Sequence, residues 1–137
     1  MKIILDRVNN AVHLVGTNEA KNEVHIDGSP KIGGEELGAR PMELVLMAVG
    51  SCSSMDVLSI LKKMKQEVTN YRVEVNGERE PDAVPAVFTD IHIKFIVGGN
   101  VEESKLARAI ELSMEKYCSV SIMLKSTVNI TTSFEVV

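Results

Sequence analysis

The two cysteines are the residues of this chain best suited to redox chemistry. The chain has 137 residues, and its cysteines, Cys52 and Cys118, lie 66 residues apart. A thiolate can attack a peroxide, and a second thiol nearby can then form a disulfide with the oxidised sulfur. The spacing matches neither a Cys-x-x-Cys redox pair nor a zinc knuckle. Because free cysteine is also often buried for packing alone, two alternatives stay open, a reactive pair and two core side chains.

Small hydroxyl residues beside each cysteine favour the reactive alternative. Ser53-Ser54 follow Cys52, and Ser119 follows Cys118. Short side chains leave space for a ligand, and their hydroxyl groups can donate hydrogen bonds. We therefore expect that either thiol can be approached by a small molecule.

The first cysteine lies on a stretch that predicts one long helix, Ala39–Met64. Pro41 suits the first helical position, where the missing N–H is not needed. From Met42 to Val49 every residue except Glu43 is apolar, which is typical of a helix buried in a core or an interface. After Gly50 one side becomes charged, with lysines in the last turns. Few chains of this length can enclose such a helix, so we expect a second copy of the chain to cover part of it.

The remaining pattern predicts an α+β fold in one domain, residues 1–137. Strands grouped in hairpins, rather than alternating one for one with helices, favour this class over a doubly wound sheet. The first three strands read as an antiparallel meander with turns at 9–10 and 16–18. A second, amphipathic helix follows the turn Gly98–Asn100, with Asn100 as its N-cap. The predicted strands are Lys2–Val8, Ala11–Val15, Asn22–Asp27, Tyr71–Asn76, Phe88–Val97 and Thr127–Val137, and Ser119–Lys125 is a short helix or turn.

Composition and charge exclude several classes of partner. With 19 acidic and 15 basic residues the net charge is −4, and the longest basic run is Lys62-Lys63, so we expect no nucleic acid and no membrane surface as partner. No uninterrupted apolar segment reaches the roughly 20 residues that span a bilayer. The first residues do not resemble a signal peptide, so we expect a cytoplasmic protein with reduced cysteines.

Other polar candidates predict neither a metal nor an organic cofactor. His13, His25 and His92 lie in alternating strands without a second histidine or a cysteine at metal-ligand spacing, and we expect them to be solvated or structural. The pairs Gly33-Gly34 and Gly98-Gly99 match no phosphate loop. Six methionines are interpreted as core residues, with the alternative that some shape an apolar site near a thiol: Met42, Met47, Met55, Met64, Met114 and Met123.

Two cysteine motifs occurring together resemble the OsmC/Ohr family, named for osmotically inducible protein C and organic hydroperoxide resistance protein. They are Pro41–Cys52 followed by Asp56–Lys63, and Lys116–Lys125. The resemblance covers nearly the whole chain, including the order of its elements, and is nearest to the less characterised OsmC-like branch. It implies an intertwined homodimer in which antiparallel sheets enclose long central helices, with active sites at the subunit interface.

The same resemblance implies the site residues. Cys52 corresponds to the peroxidatic thiol and Cys118 to the resolving thiol, and the family also uses an arginine and a glutamate. Arg40 and Glu43 are the candidates here by proximity to the motif. The family's glutamate falls one position earlier, and nine residues of ideal helix place Glu43 about 180° around the axis from Cys52. The alternative is that Glu43 is a first-turn acid favoured by the helix dipole.

The predicted function is thiol-dependent reduction of organic hydroperoxides by a homodimer that a dithiol reductant recycles. Two alternatives stay open. The first is a non-catalytic dimer that binds a small apolar ligand or senses thiol oxidation. The second is a purely structural dimer, in which Cys52→Ser changes no redox property.

Overall fold

The six strands form two three-stranded sheets, and three α-helices accompany them, as the α+β pattern predicts. The computed structural model describes residues 1–137. The chain divides into two compact units, Met1–Val45 and Leu46–Val137. The single domain 1–137 stays a prediction. In chain order the elements are β1 Ile3–Arg7, β2 Leu14–Asn18, β3 Glu23–Ile26, α1 Pro41–Lys63, β4 Glu67–Arg79, β5 Phe88–Asn100, α2 Glu103–Leu112, α3 Ser119–Leu124 and β6 Asn129–Val136.

The first unit contains the predicted antiparallel meander, with strand order β1-β2-β3. The turn predicted at 16–18 is wrong, since Gly16 pairs with Leu5 on one side and Val24 on the other. A residue with no side chain fits there because a Cβ on Gly16 would lie 3.1 Å from the Leu5 side chain. β2 therefore lies three residues later in the chain than the predicted strand Ala11–Val15, and as the central strand it pairs with both neighbours.

One buried carboxylate organises the loop after β3. Asp27 Oδ1 accepts a hydrogen bond from the Gly28 N–H at 2.7 Å. Its Oδ2 accepts from the N–H groups of Leu37 at 3.0 Å and Glu35 at 3.2 Å. These bonds, that from Leu37 most of all, lower the pKa of the Asp27 carboxyl below its usual range, against the opposing effect of burial. The charged carboxylate therefore holds both ends of the loop together.

The second unit is built on the sheet β4-β5-β6, in which β4 and β5 are antiparallel and β5 and β6 are parallel. A parallel pair needs a long crossover, and α2, a π-helical segment and α3 supply it. The predicted alternation of β5 is confirmed, since Ile91, Ile93 and Phe95 are buried while the residues between them are not. This buried face forms the core with α1 and α2, through Val49, Val57, Leu61 and Leu106.

A glycine lets α1 pack closely on the sheet. A Cβ added to Gly50 would lie 2.8 Å from Val75 Cγ2, closer than real Cβ atoms come to other atoms. Val75 pairs with Ile93 on the buried face of the sheet. Gly50 thus sets the distance between α1 and β4. Because Cys52 follows two residues later, this close packing also fixes the position of Cys52 relative to the sheet.

The predicted long helix is confirmed, but much of its apolar surface is exposed in the single chain. Met55 is 71% exposed and Met47 56% exposed. The core role predicted for the six methionines is wrong at the level of one chain, because none of them is buried. By length and composition alone, α1 is the one helix long and apolar enough to cross a membrane. Core helices of soluble proteins share this property.

The second helix differs most from the prediction. Gly98–Asn100 continue β5, with an irregularity in its pairing with β4 between Gly98 and Gly99. Glu102 rather than Asn100 precedes the helix. After Leu112 the chain widens into a π-helical segment, Ser113–Tyr117. The Cys118 N–H donates to the Ser113 carbonyl at 2.8 Å and closes this wider turn. Such π segments are frequent at functional sites.

Candidate active site

Both cysteines lie in the second unit, on elements that face the same side of its sheet. Cys52 is in the middle of α1 and is half-buried, whereas Cys118 is fully buried. Cys118 lies between the π-helical segment and α3, where its sulfur accepts a hydrogen bond from the Ser121 N–H at 3.4 Å. The thiol therefore caps the first turn of α3.

The two sulfurs meet despite their separation in sequence. Cys52 Sγ, Cys118 Sγ and a carboxylate oxygen of Asp56 all lie within 4.8 Å of one another. Both cysteines are free thiols. A disulfide has a bond length of about 2.05 Å, so side-chain movements of less than about 3 Å would join the sulfurs.

Asp56 is the member of this cluster that the sequence analysis missed. Residues four apart on a helix lie on one face, so the spacing from Cys52 to Asp56 was the signal that could have found it. The hydroxyl of the buried Ser113 donates to Asp56 Oδ2 at 3.1 Å and also lies 3.4 Å from the Ser53 carbonyl oxygen. Ser113 is the first residue of the π-helical segment, so that segment links the carboxylate to Cys118.

The surroundings of the two thiols give them different properties. Burial raises the pKa of the Cys118 thiol, hydrogen bonds from Ser121 oppose this rise, and the hydrogen bond and charge of Cys52 add to it. The buried Cys118 thiol therefore keeps its proton to a higher pH than an exposed cysteine does. The half-buried Cys52 is the sulfur that an incoming molecule can reach first.

Arg40 and Glu43 form contacts with each other and with a neighbour at the start of α1. Glu43 Oε2 accepts a hydrogen bond from the Arg40 backbone N–H at 2.9 Å, as a capping acid does. The Arg40 guanidinium pairs with Glu36 at 2.8 Å, and all three side chains are exposed. The contact of Glu43 is the one expected of a first-turn acid. Catalytic roles for Arg40 and Glu43 stay predictions.

The histidines have hydrogen-bonding partners on neighbouring strands. His13 Nε2 and His25 Nδ1 are 2.9 Å apart in the first unit. In the second unit His92 bridges the Thr131 and Ser133 hydroxyls of β6 at 2.7 and 2.8 Å. These contacts suit structural roles within the two sheets.

A cavity of about 290 Å³ opens beside the cluster on the side of Asp56. Its other walls come from α1, from the end of α2 and from the π-helical segment, namely Ser59, Ile60, Lys63, Leu112 and Tyr117. None of the five ion pairs of the chain includes Asp56, although Lys63 lines the same cavity. The carboxylate can therefore be reached by a small solute or ion.

The sequence and the fold were compared with those of known proteins. The profile of the family described as OsmC-like protein matches residues 33–133. Protein YhfA of Escherichia coli (strain K12) is 44% identical over 124 residues, which cover 90% of this chain and 89% of that protein. A crystal structure of a hypothetical protein from Aquifex aeolicus VF5 aligns with a TM-score of 0.86 at 37% identity, covering 99% of this chain and 95% of that one.

A more distant structure shares the fold alone. It is an organic hydroperoxide resistance protein OsmC from Legionella pneumophila, with a TM-score of 0.72 at 12% identity over 98% of this chain and 97% of that one. The family profile includes both cysteine motifs, and the relatives match along almost the full chain. From its sequence and its fold, this chain is a member of the OsmC-like protein family.

Proposed function

We propose that this protein is a thiol-dependent peroxidase that reduces organic hydroperoxides through Cys52 and Cys118. The observation that carries the proposal is the approach of the two sulfurs within one unit of the fold, one half-buried and one fully buried. Membership of a family with the fold of named organic hydroperoxide resistance proteins supports it.

The first step is attack by the Cys52 thiolate on the terminal oxygen of a hydroperoxide. A sulfur–oxygen bond forms, the O–O bond breaks, and the alkoxide leaves as an alcohol after taking a proton. The sulfur is oxidised by two electrons and the peroxide is reduced by the same two. Cys52 suits this step because it is the more accessible of the two thiols.

The second step is attack by Cys118 on the Cys52 sulfenic acid. A disulfide forms and water leaves, carrying the sulfenic oxygen. The short distance between the sulfurs favours this step over further oxidation of Cys52. An external dithiol, in our proposal a cytoplasmic one, then exchanges with the disulfide and restores both thiols.

The proposal includes a homodimer. The exposed apolar residues of α1, among them Met47 and Met55, form a surface that water solvates poorly. β1 also exposes Ile3 and Leu5 on one face of the first sheet. We propose that a second copy covers these surfaces, and we retain Arg40 and Glu43 as the residues that would polarise the thiolate and the peroxide.

The experiment compares Cys52→Ser and Cys118→Ser with the unmodified chain, using cumene hydroperoxide and a dithiol reductant. The expected result for the unmodified chain is saturable peroxide consumption and an oxidised form lighter by two hydrogens. Cys52→Ser removes peroxide consumption. Cys118→Ser still allows a single oxidation to sulfenic acid, which a dimedone probe traps, but forms no intramolecular disulfide.

Two outcomes would refute the proposal. Equal residual turnover in both variants would show that the two thiols do not have these roles. Alkylation and peroxide oxidation of Cys52 no faster than those of a free thiol would instead favour the non-catalytic dimer.

A further inference from the structure

The same cluster has the composition of a metal site as well as that of a redox pair. Two thiols and a carboxylate, from Cys52, Cys118 and Asp56, place their ligand atoms within 4.8 Å of one another. Zinc binds sulfur at about 2.3 Å and carboxylate oxygen at about 2.0–2.2 Å, which puts tetrahedral ligand atoms roughly 3.5–3.8 Å apart. A contraction of about 1.3 Å at most would therefore bring the three atoms around one ion.

The ligand atoms are already oriented by hydrogen bonds of the kind that surround metal sites. Ser113 donates to one carboxylate oxygen of Asp56 and leaves the other free. The Ser121 N–H donates to the Cys118 sulfur. Partners of this type hold ligands in position, and their loss typically weakens metal binding. They come from the π-helical segment and from α3, so the crossover between β5 and β6 shapes the cluster.

The charge of the Asp56 carboxylate is not balanced by an ion pair. Lys63 lines the same cavity but forms no ion pair with Asp56. A divalent cation would balance the charge of the Asp56 carboxylate and would displace the protons of the two thiols, because cysteine binds a metal as the thiolate. Two thiolates select a soft or borderline cation rather than Mg²⁺ or Ca²⁺.

We propose that the reduced chain binds one divalent thiophilic cation of the Zn²⁺ type through Cys52 Sγ, Cys118 Sγ and one oxygen of Asp56. The fourth position faces the cavity beside Asp56 and takes water or a small ligand. The metal-bound and disulfide states exclude each other, because the same two sulfurs cannot serve both. This inference goes beyond the proposed peroxidase function and does not depend on it.

The test uses the reduced full-length protein, freed of metal with a chelator and titrated with Co²⁺ and with Zn²⁺ without peroxide. The expected result is one Co²⁺ per chain, with a thiolate-to-cobalt charge-transfer band and the d–d bands of tetrahedral cobalt. Zn²⁺ displaces the Co²⁺ and slows alkylation of Cys52, whereas Mg²⁺ does neither. The absence of saturable Co²⁺ binding by the reduced chain would overturn the inference.

Matched variants identify the ligands. Asp56→Asn weakens Co²⁺ binding at least about 10-fold, whereas Asp82→Asn, on an exposed loop residue, leaves it unchanged. Ser113→Ala weakens it roughly 10- to 100-fold, whereas the exposed Ser126→Ala does not. Unchanged affinity in Asp56→Asn would also overturn the proposed ligand set, and circular dichroism of each metal-free variant checks that it is folded.

The two proposals fail separately. Metal binding is measured without peroxide, and peroxide consumption is measured in the presence of chelator. Cobalt binding without turnover would support the metal site and refute the peroxidase. Turnover without cobalt binding would support the peroxidase and refute the metal site.

Discussion

Replacement of Gly50 by alanine tests the packing that places Cys52 over the sheet. The new Cβ would lie 2.8 Å from Val75 Cγ2 and 3.9 Å from Val73 Cγ1. The first distance is too short, and valine cannot rotate away easily because its χ1 angle is restricted. Either Val75 changes its position or α1 lifts away from β4.

Two opposing effects set the magnitude. Alanine is favoured over glycine in a helix interior by about 1 kcal/mol. Overpacking a core typically costs about 1–3 kcal/mol. Gly50 is buried against the sheet, so we expect the steric effect to prevail and the free energy of unfolding to fall by about 0–2 kcal/mol.

The assay is urea unfolding of the single and double variants. Val75→Ala removes the methyl group that the new Cβ would meet, so Gly50→Ala combined with Val75→Ala should be less destabilised than the sum of the two single variants. A coupling energy of about 0.5–3 kcal/mol is expected for residues in contact. The exposed Ser51→Ala on the same helix is the control and should change stability by less than about 0.5 kcal/mol.

The rate of disulfide formation after addition of peroxide provides a second readout. Lifting of α1 should move the Cys52 sulfur relative to Cys118 and slow the reaction in Gly50→Ala, with recovery in the double variant. Stabilisation of Gly50→Ala by about 1 kcal/mol, the value of helix propensity alone, would refute this account of the packing.

Two further predictions concern the loop after β3 and the exposed face of α1. Asp27→Asn should destabilise the chain most near neutral pH. Hydrogen bonds from the N–H groups of Leu37, Gly28 and Glu35 lower the pKa of Asp27 in the folded chain. The stability that the charged carboxylate contributes is therefore present above its ordinary pKa of 3.8 and is lost as the pH falls through the lower folded pKa. Unfolding midpoints from pH 7 to 3 check this against the exposed Asp6→Asn, and a difference independent of pH would contradict it. Met55→Glu should raise the dissociation constant of a homodimer at least about 100-fold, because about 1.5–3 kcal/mol of burial is lost in each of two copies. Light scattering over a range of concentrations measures this, with the exposed loop variant Val84→Glu as control, and unchanged association of Met55→Glu would place the interface elsewhere.

The α+β class and the long helix could be predicted from local pattern, because apolar periodicity and end signals act over a few residues. Pro41 begins α1 as predicted, and the helix ends at Lys63, one residue before the predicted end at Met64. The turn at 16–18 and the N-cap at Asn100 were wrong because strand pairing outweighed the local turn preference of these residues. Burial of the methionines was wrong because periodicity shows that one face of a helix is apolar but cannot show that the chain itself covers that face.

The sequence by itself determined which residues can do chemistry here, two thiols that occur in recognisable motifs, and which elements carry them. Only the tertiary structure decided that Asp56 joins the two sulfurs and that Ser113 orients it. The physical reason is the crossover between the parallel strands β5 and β6, which returns Cys118 to the face of the sheet that α1 covers. The distance between Cys52 and Cys118, which are 66 positions apart, depends on the path of this crossover, so no local sequence pattern can predict it.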